Sequence, residues 1–396
     1  MQDKGDRAII HGLRGQPSTH RIAEKIERRA VTIIEREYAD FGPTLASEYL
    51  ARDHQITASR ETVRQWMLRA GLWKRRKQRI EQVHVWRPRR SCFGELVQWD
   101  TSDHDWLEGR GPKLYLLAMV DDATSRACAR FGEHDTTEEN FRLLRSYLEQ
   151  WGRPGEYYTD KDSLFTVNRP VPQAQDEAWP EAQTQIGRAL KELGIAWAAA
   201  HSPQAKGRIE RFFGTAQDRL VKGMRKARVG SLQEANAYLQ QEYLPLWNRR
   251  FTVEPANPTD AHRPLGAEHD LAAILSHVEE RVVANDYTIR YNSKQYQITR
   301  TDIRPGLRGG TVRVEERGDG RVWVRFRDRY LTAGACAGAA EGSARPTSAP
   351  AGKSPRPAPG KPGRRWMKGF DLRKSPPLWK IMREEGGTVK ARESVP

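Results

Sequence analysis

Cysteine is scarce in this chain. Cys92, Cys128 and Cys336 are scattered through 396 residues with no CxxC pair, which excludes a paired-cysteine zinc site and a disulfide framework. Long apolar runs are missing as well: nothing approaches the roughly 20 residues that cross a bilayer, and the opening residues are polar and charged, without a signal-peptide core. A cytoplasmic protein with no membrane partner is therefore expected. Acidic residues are in deficit, 51 Asp and Glu against 67 Lys and Arg, for a net charge of +16. That surplus favours a polyanionic partner. No amphipathic basic helix with a clean apolar face stands out, so nucleic acid comes before a membrane surface.

What is present centres on a few carboxylates. GELVQWDTSD, Gly94 to Asp103, reads as a short strand in which Leu96, Gln98 and Asp100 share one face while Val97 and Trp99 take the other. EYYTD, Glu156 to Asp160, is a second β-prone run ending in an aspartate. In the helical stretch from Ala205, Ile209, Phe212, Phe213, Ala216 and Leu220 recur at three- and four-residue steps as the buried stripe, and Lys206, Glu210 and Gln217 fall on another face. Two acids at strand ends and one on a polar helix face suit hard divalent cations such as Mg²⁺, and two such ions can serve phosphoryl transfer. Singly, each acid is far more often an ordinary strand-end or surface residue than a catalytic one.

The phrases QWDTSDHDWLEGRGPKLYLLAMVDDATSR, YYTDKDSLF and HSPQAKGRIERFFGTAQDRLVKGMR resemble the catalytic core of bacterial insertion-sequence transposases of the ISNCY type, within the integrase-like group that carries an Asp, Asp, Glu triad. The likeness runs from about Gly42 to about Pro264. It implies Asp100, Asp160 and Glu210 as catalytic, metal-binding residues, an RNase H-like α/β fold, two Mg²⁺ or Mn²⁺ ions per site, and cleavage and strand transfer of double-stranded DNA at transposon ends. Both ends must be cut together, so at least a homodimer is expected, acting on the nucleoid. Family members usually carry a further helix-turn-helix upstream, and the chain is read as a truncated copy or one with a misplaced start.

A multidomain order follows along the chain. Residues 1–17 form a flexible arm. Residues 18–73 read as a helix-turn-helix region, with an apolar stripe from Ile22 to Ile34, a second helix after the Gly42-Pro43 break, and a third that opens on the N-cap Ser59 and stops at Gly71. Arg60, Arg64, Gln65 and Arg69 would face DNA from the last helix; a small bundle with a solvated charged face is the competing reading. Residues 74–91 are a basic linker whose Lys74, Arg75, Arg76, Lys77 and Arg79 suit DNA phosphates or serve solubility alone. Residues 92–265 carry the core in the order βββαβαβα with a trailing helix. Residues 266–332 alternate as a small β-barrel. Residues 333–365 are a disordered Pro/Ala/Gly-rich linker, and 366–396 form a C-terminal tail.

Other carboxylates compete for the triad positions: Asp103, Asp105, Asp121, Asp122 and Asp162. Asp121 ends the strand beside Asp100 and reads as a turn cap that touches the site from behind. Lys206 and Arg208 would bring positive charge to the scissile phosphate, while His201 reads equally as a satisfied loop histidine. Two rival functions stay open, a binding-only relic of a transposase and a structure-directed nuclease.

Overall fold

Three helices open the described part of the chain. In this computed structural model residues 22–74, 88–160, 184–199 and 206–336 are described. Helix α1 (Glu24–Glu37) turns Ala30, Ile33 and Ile34 inward. Helix α2 (Pro43–His54) starts on a proline, whose missing N–H costs nothing in a first turn. Helix α3 (Arg60–Arg69) is capped by Ser59, which accepts the Thr62 N–H at 3.1 Å. Val63, Trp66 and Met67 close the apolar cluster of this unit.

The short β1 (Cys92–Phe93) leads into β2 (Leu96–Asp103), β3 (Tyr115–Asp121) and β4 (Ala127–Gly132), an antiparallel meander. Helix α4 (Thr137–Trp151) carries the chain across to β5 (Glu156–Thr159), which lies parallel to β2; α5 (Gln185–Glu192) then leads to β6 (Ala196–Ala199), parallel to β5. The five strands take the order β4-β3-β2-β5-β6. Helices α4 and α5 cover one face. The other is covered by α6 (Gly207–Lys226), α7 (Leu232–Tyr238) and α8 (Leu244–Arg250). A meander followed by two parallel strands, with helices on both faces, is an RNase H-like α/β core.

The expected trailing helix is not one continuous run. A π-helical turn, Leu239–Tyr243, separates α7 from α8, and the helical path continues to Arg250. The wide turn keeps Tyr243 and Trp247 both buried, with the Trp247 indole donating to the Ser125 carbonyl at 2.9 Å. Beyond it a proline-punctuated stretch lies across the core: β7 (Asn257–Asp260) pairs in parallel with β1. Buried His262 contacts the Tyr147 hydroxyl at 2.8 Å. Gly94, at φ 79°, makes room for that ring, since a Cβ there would sit 2.3 Å from it.

After the short α9 (Leu271–Ile274) come seven strands: β8 (His277–Val282), β9 (Thr288–Tyr291), β10 (Lys294–Ile298), β11 (Thr311–Glu316), β12 (Val322–Phe326), β13 (Arg329–Leu331) and β14 (Ala333–Ala335). They hydrogen-bond as two sheets, β13-β12-β11-β8 and β14-β10-β9, around Val283, Ile289, Val312, Val314 and Val324. The expected barrel is thus a two-sheet module among the described residues. Its last strand also runs past the boundary expected at residue 332: β14 pairs with the free edge of β10, where backbone hydrogen bonds outweigh an Ala- and Gly-rich composition. The arm, the rest of the 333–365 linker and the tail lie outside the described residues, as do Arg75, Arg76, Lys77, Arg79, Asp162 and His201. No described helix is long and apolar enough to cross a membrane.

Candidate active site

The two faces of β2 divide its labour. On the side of α4, Val97 and Trp99 are buried; the Trp99 indole donates to Asn140 at 3.0 Å and packs edge-on to Tyr157. On the other side, Gln98, Asp100 and Ser102 look toward α6. The Gln98 side-chain oxygen accepts the Ile209 N–H at 3.1 Å, and Gln217 donates to the Ser102 hydroxyl at 3.3 Å. Helix α6 therefore runs along β2, anchored before and after the level of Asp100. Residues 206, 210 and 217 fall on the same helix stripe because steps of three and four stay on one face.

Asp160 follows the last residue of β5, the neighbour of β2, so adjacent strands deliver two carboxylates to one place. Between them sits an ammonium: Lys206 Nζ lies 2.8 Å from Asp100 and 2.9 Å from Asp160. Burial works against the charge on Lys206, but the two carboxylates prevail and hold it above the usual lysine range. Burial also pushes the Asp100 carboxyl up, against the pull of Lys206. The Asp160 side chain is 62% exposed, so the pair opens to solvent on one side. Glu210 stands exposed on the first turn of α6. The structure does not gather it with the aspartates: among the described residues no group of three His, Cys, Asp or Glu is disposed to hold a metal.

The neighbouring acids are engaged elsewhere. Asp121, fully buried, accepts the Gly94 N–H at 2.9 Å and both the N–H and hydroxyl of Thr124, the work of a turn cap. Asp103 is tied to Lys113 at 2.8 Å, and Asp105 accepts the Gly109 N–H. Asp122, also fully buried, accepts from the Gln98 amide at 2.9 Å and from the Arg90 N–H at 2.8 Å.

No family model matches the chain. "Putative transposase y4bF" of Sinorhizobium fredii is 40% identical over 329 residues, covering 83% of this chain and 70% of that protein. The chain belongs to the transposases. The transposase for insertion sequence IS1202 of Streptococcus pneumoniae is 28% identical over 332 residues, 74% of this chain and 69% of that one. Among solved structures, the HTLV-2 integrase catalytic core in complex with magnesium aligns with 38% of this chain and 88% of its own, at 15% identity and a TM-score of 0.28. So low a score adds nothing to the fold, which rests on the strand order above.

Two of the transposase's positive charges face carboxylates of the sheet. Lys206 is spent on Asp100 and Asp160. The Arg208 side chain is only 14% exposed and turns toward Asp122, 3.8 Å away. Both lie where α6 begins to pack on the sheet, and the buried carboxylates there require counter-charge. On α3, Arg64 and Gln65 both bond Glu61 at 2.6–2.7 Å, and Arg69 bonds Glu27 at 2.5 Å. Arg60 and Lys74 are exposed. The sequence placed Gln98 on the Asp100 face and offered Asp122 as a rival carboxylate, but not their part in tying β2, the turn after β3 and the first turn of α6 together. The signal was available: Gln98 is a polar residue in an otherwise apolar strand half, two positions before Asp100.

Proposed function

We propose that this transposase binds the ends of an insertion sequence and performs metal-dependent DNA cleavage and strand transfer, with Asp100, Asp160 and Glu210 as its catalytic, metal-binding carboxylates. The observation that carries this reading is the convergence of Asp100 and Asp160 on one shared, buried positive charge. Two carboxylates that each present an oxygen to one cation position are hard donors of the kind Mg²⁺ or Mn²⁺ takes. When bound, two such ions supply activation of the attacking hydroxyl and stabilisation of the leaving oxygen. Asp100, on a central strand, is held rigidly. Asp160, at a strand end, faces solvent and the DNA. Glu210 would join them from the first turn of α6, whose position the Gln98 to Ile209 hydrogen bond sets.

The remaining parts suit DNA handling. The three-helix unit is a helix-turn-helix that presents α3 to a major groove through Arg60, Arg64, Gln65 and Arg69, the last three exchanging Glu61 and Glu27 for DNA, with Lys74 on a phosphate. In the two-sheet module, exposed Trp323 and Tyr330 flank Arg317, whose guanidinium lies 4.4 Å from the Trp323 ring centre. That surface suits DNA or a partner subunit. The active form is at least a dimer, working in the cytoplasm on nucleoid DNA.

The test is strand transfer of a labelled duplex carrying the element's end into a supercoiled target, with Mg²⁺ or with chelator. Joined product that needs both metal and native Asp160 supports the assignment. Retention of the duplex without nicking or joining, under all conditions, identifies a binding-only protein and removes it.

A further inference from the structure

The position between Asp100 and Asp160 can hold one cation, and here it holds Lys206. Its ammonium is within hydrogen-bond distance of both carboxylates and its side chain is 4% exposed. An ammonium leaves water only where fixed acceptors replace its hydration, and the acceptors here are the carboxylates that a hard divalent ion would need. Lys206 also precedes the first turn of α6, which has no side-chain cap, so its charge sits at the positive end of the helix dipole. The two aspartates hold it there against that field.

Glu210 is its counterpart. It lies one turn further along the same stripe, exposed, where the dipole favours a negative charge. The helix itself is pinned by Ile209 on Gln98 and by Gln217 on Ser102. The helix that carries both side chains is thus held in place along β2.

We infer that Lys206 is a resident counter-ion that competes with divalent metal for Asp100 and Asp160, so that metal loading expels its ammonium and admits Glu210 from the same helix face. Removing the lysine charge frees the carboxylates for metal and leaves the metal-free protein with two unneutralised acids. This rests on Asp100 and Asp160 being metal ligands, as proposed above, and the test separates the two ideas.

Mn²⁺ binding to the full-length, metal-free protein without DNA is measured by titration calorimetry and by loss of the free-ion paramagnetic resonance signal, for the native chain, Lys206→Met, Lys206→Gln and Asp160→Asn. Lys206→Met is expected to bind Mn²⁺ about tenfold tighter or more, because a contact cation has been removed from a half-buried site. Its metal-free melting temperature falls, and Mn²⁺ raises that temperature more than in the native protein. A lysine with a merely structural role predicts the opposite sign, weaker binding. Should Lys206→Met fold poorly, Lys206→Gln removes the charge while keeping a polar side chain, and the same tightening is expected. Equal or weaker binding in the lysine variant that folds, with Asp160→Asn still losing Mn²⁺, overturns the exchange and leaves the metal assignment standing. Undiminished Mn²⁺ binding in Asp160→Asn overturns the assignment itself.

Discussion

Helix α6 is basic at both ends and met by carboxylates at both, but the two ends are built differently. At its start a single buried lysine is shared by two acids of the sheet. Over its second half, Arg219 pairs with Glu48 at 2.6 and 2.9 Å, Arg225 with Asp40 at 2.8 and 3.0 Å, and Lys226 with Asp53; Lys222 donates to the Asp40 carbonyl at 2.8 Å. Arg250 of α8 joins Glu48 at 2.7 Å. These acids belong to the amino-terminal helices and the turns between them, so this half is a docking surface for the three-helix unit. One end concentrates charge at a point that suits a cation of the reaction. The other spreads it over several partly exposed pairs, each worth about 0.2–1 kcal/mol and weakened by salt.

The largest effects should come from the start of the helix. Asp100→Asn, Asp160→Asn or Glu210→Gln should each lower strand transfer about a thousandfold or more, with end-DNA retention in a gel-shift assay close to native. Loss of DNA binding in all three would break the contrast, since the site would then be a DNA contact rather than a reaction centre. Next comes the anchor. Gln98→Leu deprives the Asp122 carboxylate and the Ile209 N–H of their shared partner, an expected loss of about 1–3 kcal/mol, read from denaturant midpoints. An unchanged midpoint would show that α6 is positioned without it.

The docking end should respond more gently. Glu48→Gln with Asp53→Asn should cost about 1–2 kcal/mol at low salt and less near 0.5 M salt, while Mn²⁺ binding stays native. A docking variant that also loses metal would join the two ends into one unit. The smallest effect is with pH. Burial opposes the charges on Asp53 and Asp40, but Arg52 and Lys226 on the first and Arg225 on the second hold both carboxyls below their ordinary range. A depressed carboxyl contributes stability that is present above its unfolded value of about 3.9 and is lost as pH falls through the folded one. Small-angle scattering should therefore show the three-helix unit loosening only below about pH 4. Loosening already between about pH 7 and 5 would show that these carboxylates do not control the docking.

Much of the core was legible because its strands obey simple rules. Alternation along LVQWDTSD separates the Trp99 face from the Asp100 face without any structure, and the apolar run KLYLLAMV, residues 113–120, supplies most of the buried strand Tyr115–Asp121 of the same sheet. Ser59 and Gly71 bracket α3 as capping chemistry requires. The π-helical turn and β14 were not legible: one depends on what Tyr243 and Trp247 must reach, the other on an unpaired strand edge. The partners of Lys206 and Arg208 were not legible either, because which carboxylates of the sheet they face depends on how α6 packs.

The sequence by itself determined that one strand carries Asp100 and another leads to Asp160, that a polar helix face carries Glu210, and that the chain is basic enough to seek nucleic acid, because those are matters of local period and composition; Asp100, expected at a strand end, lies inside β2, which pairs with β3 as far as Asp103. Only the tertiary structure decided which positive charge lies between Asp100 and Asp160, and that acids of the three-helix unit cover the far half of α6. Ion pairs between segments distant in the chain depend on which helix packs on which strand, and no local pattern encodes that.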